Sequence, residues 1–135
     1  MKTPQEIVSF MYGNDEFSSL LGIEIVAIKI GNVDLELSVK ESHTNGFKIA
    51  HGGISYSLAD TCLAFSANTF GYKAVTTETS ISYFCKVQLG DRLCAKSHLI
   101  QKGNSSAVYL IEIHNQENIL VSHFKGTVRI SKDLW

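Results

Sequence analysis

This 135-residue chain has no surplus of positive charge: 12 Lys and Arg stand against 13 Asp and Glu, giving a formal net charge of −1, and the basic residues are scattered singly. A nucleic-acid backbone calls for a contiguous basic field, so nucleic acid is not an expected partner. No uninterrupted apolar stretch approaches membrane-span length, and the opening MKTPQEIVSF has polar and acidic residues where a secretory leader needs an apolar run. The expectation is a soluble cytoplasmic protein with no membrane partner. The cysteines, Cys62, Cys85 and Cys94, are odd in number and lack C-x-x-C spacing, which reads as reduced thiols rather than a disulfide framework.

Several catalytic signatures are missing as well. His43 and His51 lack the H-E-x-x-H pattern, and His98, His114 and His123 stand singly in different strand-like segments, so no metal site is expected. Ser57 has no G-x-S-x-G elbow around it, which argues against a serine triad. There is no repeat, linker or low-complexity tract. With 44% hydrophobic and 19% charged residues, the length fits one domain over residues 1–135 with a substantial core.

What the chain does contain is concentrated between residues 43 and 71, HTNGFKIAHGGISYSLADTCLAFSANTFG. Ile54, Leu58, Cys62 and Phe65 recur at steps of three and four, while Ala59, Leu63, Ala64 and Ala67 fill other faces. A helix apolar on nearly all sides belongs inside a protein, and Cys62 reads as core. Gly71 supplies a left-handed stop, which predicts an element of about twenty residues, or about 30 Å.

The flanking segments read as an α+β domain. Thr3, Pro4 and Glu6 form a capping-box pattern with proline at the first helical position, predicting a helix over residues 4–12 stopped at Gly13. Asn14 reads as the cap of a second short turn carrying Phe17, Leu20 and Leu21 and ended by Gly22. Residues 23–30 are strand-like, with alternation slipping near Val26 as at a bulge. Gly31-Asn32 is a turn signal, and residues 33–40 alternate strictly between apolar and polar. Further strands are expected at 74–87, 92–101, 106–114 and 119–130. Two strands, a buried helix and four antiparallel strands require about six strands in a sheet wrapped around the helix.

Within this frame the polar residues near the helix stand out. Asp60 lies among Leu58, Ala59, Cys62 and Leu63, where burying a carboxylate without partners would cost several kcal/mol. A catalytic role and a solvated stripe shared with Ser57 are the two readings. Gly52 and Gly53 open the helix, where unpaired N–H groups and the macrodipole can stabilise an oxyanion, or where a tight entry turn is simply needed. Asn45 could donate to the same oxygen or make an Asx-turn. His51 could act as base or as an orienting hydrogen bonder, the second being favoured. From His51 to Asp60 the helix turns about 900° and rises about 13.5 Å, so the two ends face opposite ways. If Gly52 and Asp60 serve one site, an antiparallel second copy must supply one of them, with two sites per twofold dimer.

Together, Asn45, His51-Gly52-Gly53 and Ser57-Leu58-Ala59-Asp60 resemble the signature of the PaaI-like hotdog-fold acyl-CoA thioesterases. The resemblance begins near Phe17, runs through LADTCLAFSANTFGYKAVTTETSISYF and ends near Gly126-Thr127. It implies a sheet wrapped around one long helix, paired into dimers or dimers of dimers with sites at the interface. It further implies that Asp60 activates water or attacks the thioester carbonyl, that Gly52 N–H and Asn45 polarise that carbonyl, and that Thr76 helps hold the water. His51 would orient the thioester or Asn45. Tyr83 and the turn Lys102-Gly103-Asn104-Ser105 fall where relatives contact coenzyme A, which is part of the substrate, so no separate cofactor is implied. After Tyr83-Phe84, where many relatives carry proline, this chain reads Cys85-Lys86-Val87. The activity implied is hydrolysis of an aromatic or medium-chain acyl-CoA. The alternatives are a non-hydrolytic acyl-CoA binding or sensing module, and a hotdog dehydratase, which would need a histidine and a carboxylate in a different loop context.

Overall fold

The computed structural model covers Met1 to Trp135. Helices α1 (Pro4–Gly13) and α2 (Glu16–Leu21) precede strands β1 (Glu24–Lys29) and β2 (Asn32–Ser38). The long helix α3 (Gly52–Asn68) follows, then β3 (Tyr72–Tyr83), β4 (Arg92–Lys102), β5 (Ser106–His114) and β6 (Leu120–Leu134). All six strands form one antiparallel sheet in the order β1-β2-β4-β5-β6-β3. The sheet curls around α3 in the hotdog arrangement, and β1 and β3 are its edges. No helix is long and apolar enough to cross a membrane.

The core lies between the sheet and α3. Ile54, Leu58, Cys62, Leu63 and Phe65 are buried against Leu35, Leu37, Leu93, Ile111 and Phe124, among others. Strict alternation in β2 and β5 puts every second residue on this inner face. Polar groups at the far end of α3 are fully engaged. Ser66 Oγ accepts from Val33 N–H at 2.9 Å and donates to Ser97 Oγ at 2.9 Å, while Thr69 Oγ1 accepts from Gly31 N–H at 2.6 Å. These bonds anchor the β1–β2 turn onto the helix and keep buried polar atoms satisfied.

The capping box at Thr3 and Glu6 is present with Pro4 in the first turn, and the register of β1 shifts between Ile25 and Ala27, where the slip in alternation predicted a bulge. Other boundaries differ from the sequence reading. Gly13 lies inside α1, and Asn14 closes that helix rather than opening the next: its Nδ2 donates to Phe10 O, and Asp15 caps α2 by accepting from Ser18 N–H at 2.9 Å. Helix α3 has 17 residues and ends before Gly71. The reason is Asn68, whose side chain exchanges hydrogen bonds with both the N–H and the carbonyl of Ala74 and so turns the chain early. Gly71, at φ +92°, serves the turn into β3 instead. Strand β3 begins at Tyr72 and stops at Tyr83 rather than running to residue 87, because Val87 O accepts from Ala50 N–H at 2.9 Å and ties that segment to the loop before α3.

Candidate active site

The start of α3 gathers one group of the candidate residues. His51 is the helix N-cap, and its Nδ1 accepts from Gly53 N–H at 2.8 Å. The Gly52 N–H is one of those a helix cannot pair internally. Close approach requires glycine here: a Cβ on Gly52 would lie 3.1 Å from both Cζ and the hydroxyl oxygen of Tyr83. The Tyr83 hydroxyl donates to Gly52 O at 2.9 Å, and burial pushes its phenol above the ordinary value. Asn45 does make an Asx-turn, Oδ1 accepting from Phe47 N–H at 2.9 Å, which leaves its Nδ2 donor outside the turn. Asn45, His51, Gly52 and Tyr83 line one cavity of about 380 Å³, with Ser55 and Lys86 also in its wall.

A second group is two turns along α3. Asp60 is half-buried, and its Oδ1 accepts from the Thr76 hydroxyl on β3 at 3.2 Å. Burial pushes its carboxyl above the ordinary aspartate value, and the Thr76 hydrogen bond opposes that rise. Asp60 opens into a second groove, of about 500 Å³, whose lining includes Phe10, Phe17, Ala64, Phe65 and Trp135. Beside it, Thr61 Oγ1 meets the Ser18 hydroxyl at 3.3 Å, and Ser18 Oγ donates to Asp15 Oδ2 at 2.6 Å.

The residues singled out from sequence therefore fall into three places in one protomer. Asn45, His51, Gly52 and Tyr83 come together, as do Asp60 and Thr76, and the two groups line separate cavities. The turn Lys102-Gly103-Asn104-Ser105 is a tight β4–β5 connection, with Gly103 N–H donating to Ser106 O at 2.8 Å. It sits at the opposite end of α3 from Gly52, where the Lys102 ammonium lies 4.9 Å from the centre of the Phe70 ring. His98, His114 and His123 lie in β4, β5 and β6 respectively, and Glu112 lies 3.7 Å from His98 and 4.0 Å from His114. Of the groove side chains, sequence reasoning overlooked Phe10 and Trp135. Phe10 carries no signal beyond α1 itself, and Trp135 lies outside any periodic pattern.

A family model described as "Thioesterase superfamily" matches residues 47–122. A putative esterase of Archaeoglobus fulgidus is 37% identical over 130 residues, 96% of this chain and 84% of the relative. Acyl-coenzyme A thioesterase PaaI of Escherichia coli is 35% identical over 116 residues, 86% of this chain and 83% of the relative. The solved structure of that E. coli PaaI protein, from the phenylacetic acid degradation operon, superposes with a TM-score of 0.94, covering 97% of this chain and 95% of its own at 31% identity. A hypothetical thioesterase of Streptococcus pneumoniae TIGR4, solved with coenzyme A, superposes with a TM-score of 0.80 at 27% identity, covering 84% of this chain and 88% of its own.

Proposed function

This chain belongs to the thioesterase superfamily, as a PaaI-like thioester hydrolase, and from that premise we propose that it hydrolyses an aromatic or medium-chain acyl-CoA to the free acid and coenzyme A at Asp60. The observation that carries the reading is a half-buried carboxylate, raised above its ordinary pKa by burial and held by the Thr76 hydroxyl, opening into a largely apolar groove. Burial makes Asp60 a stronger base than a solvated carboxylate and places it beside a path for an acyl group.

In this proposal Asp60 takes a proton from a water whose oxygen attacks the carbonyl carbon, or attacks that carbon itself to give an acyl-aspartyl anhydride that water then hydrolyses to the free acid and the regenerated carboxylate. A carbon–oxygen bond forms, the carbon–sulfur bond breaks, and the coenzyme A thiolate leaves and takes up a proton. Gly52 N–H and the Asn45 Nδ2 oppose the charge that develops on the carbonyl oxygen. His51 holds the first turn of α3 through Gly53 N–H, keeping the Gly52 donor aimed, and Thr76 positions the carboxylate or its water.

Because Gly52 and Asp60 line separate cavities, we assign the complete site to two protomers. Edge strand β3 has twelve residues and pairs only with β6, and so long an unpaired edge invites a partner. Antiparallel pairing of two β3 edges about a twofold axis would lay the two α3 helices side by side in opposite directions. Asp60 of one protomer would then face Gly52 and Asn45 of the other. The Lys102–Ser105 turn of one protomer would approach Tyr83 of its partner, where both could contact coenzyme A. A cytoplasmic setting fits the free thiols of Cys62, Cys85 and Cys94.

The test is a panel of acyl-CoA thioesters with release of free thiol as readout, followed by subunit mixing. Asp60→Ala and Asn45→Ala proteins, each impaired alone, should regain partial activity when mixed, because heterodimers hold one intact site. An active monomer, or no complementation, would overturn the shared site. A wild type that binds acyl-CoA but releases no thiol would favour the sensing module.

A further inference from the structure

The groove at Asp60 extends along α3 to Trp135. Trp135, which follows β6, is fixed there by four contacts. Its backbone N–H donates to Gly71 O at 3.1 Å, and its indole Nε1–H donates to Asn68 Oδ1 at 2.8 Å. The ring meets Phe10 edge-on, with centroids 5.9 Å apart, and the Lys73 ammonium lies 5.6 Å from its centre. Asn68 is itself immobile: it is buried, and its amide also bonds Ala64 O, Ala74 O and Ala74 N–H. The indole is therefore backed by a side chain that has no spare hydrogen-bonding freedom. From Asp60 to Asn68 the helix rises about 12 Å. Between them, one turn from each, Ala64 lines the groove with a side chain too small to obstruct it.

We propose that this groove receives the acyl group of the thioester and that Trp135, braced by Phe10 and Asn68, is the wall that sets the longest acyl group the enzyme accepts. The inference rests on Asp60 being the carboxylate at the reacting carbonyl. With that carbon against Asp60, an acyl group running along α3 meets the indole after about 12 Å of helix rise. A phenyl-bearing or medium-length group fits between Phe17, Ala64 and the indole, whose faces and edges suit an aromatic ring. A long saturated chain would have to break the Asn68 and Phe10 contacts or leave the groove.

The test compares kcat/KM for saturated acyl-CoA thioesters from butyryl to palmitoyl, with phenylacetyl-CoA included, in wild type, Trp135→Ala and Trp135→Phe. The lauroyl-to-hexanoyl ratio of kcat/KM should rise about tenfold or more in Trp135→Ala, the lower range for apolar pocket discrimination, and stay near wild type in Trp135→Phe. A second readout needs no turnover. Trp135 is the only tryptophan, so in the Asp60→Asn protein its emission should shift on binding the thioether S-decyl-CoA, whose extended chain matches the helix rise from Asp60 to Asn68, and not on binding coenzyme A alone. An unchanged length ratio in a folded Trp135→Ala protein would overturn the proposal. So would emission that ignores S-decyl-CoA while calorimetry shows it bound, which decides the matter if Trp135→Ala does not fold. An inactive Asp60→Asn protein with an unaltered Trp135→Ala profile would remove the wall and leave the carboxylate assignment. An Asp60→Asn protein with full turnover would remove that assignment, while the length ratio and the emission would still judge the wall.

Discussion

Replacing Asp60 by Asn keeps the side-chain volume and leaves an oxygen to accept from the Thr76 hydroxyl, which now lies 3.2 Å from Oδ1, but it removes the negative charge. Loss of a positioned general base costs about 10²- to 10⁴-fold in rate. Gly52, Asn45 and Thr76 are untouched by the substitution, so the expected loss is in the lower part of that range, about 10²- to 10³-fold in turnover, or about 3–4 kcal/mol of barrier. Stability should move the other way. Burial raises the folded-state pKa of Asp60 above its unfolded value, so the folded chain binds the proton more tightly. The group's contribution to stability is therefore lost as pH rises from the ordinary carboxylate range through the raised value, and above it the ionised form is a net cost. Asparagine carries no such cost. The variant should melt no lower than wild type at pH 8, and any advantage should narrow as pH falls toward the ordinary carboxylate range. Free-thiol release measures the first effect and circular-dichroism melting at several pH values the second. Turnover above a tenth of wild type would refute the assignment of Asp60. A melting temperature several degrees lower at pH 8 would refute the electrostatic reasoning, since it would mean that the ionised carboxylate has a stabilising partner beyond Thr76.

Thr76→Ala should reduce turnover less than Asp60→Asn, because the hydroxyl orients while the carboxylate reacts; an equal or larger loss would transfer the central role to Thr76. In the same variant the acid limb of kcat/KM should move to higher pH, because the lost hydrogen bond favours the ionised carboxylate, and a limb moving lower would contradict that sign. Gly126→Ala should destabilise by about 1–3 kcal/mol, the range for overpacking a core. A methyl built at Gly126 overlaps Leu63 Cδ2 and lies 3.1 Å from Phe124 Cε1, both on fully buried side chains. Thermal melting checks it, and an unchanged midpoint would show that Leu63 can move aside.

Much of the scaffold is written locally. The period of two in β2 and β5, the three- and four-residue steps from Ile54 to Phe65, and the Thr3–Glu6 capping box each involve neighbours within a turn or a strand, where backbone geometry alone dictates which side chains share a face. The same geometry separated Gly52 from Asp60 before any contact was known, because rotation along a helix is a property of the helix. Boundaries were less legible. Asn68 ends α3 only because Ala74, six residues on, is placed to bond it, and β3 stops at Tyr83 only because Val87 is drawn to Ala50. The pairing of Asp60 with Thr76, the position of β3 at a sheet edge and the seat of Trp135 on Asn68 were decided by tertiary structure alone. Periodicity reports that a face is buried; it carries no information about what covers it, since that depends on strand order and on segments far apart in the chain.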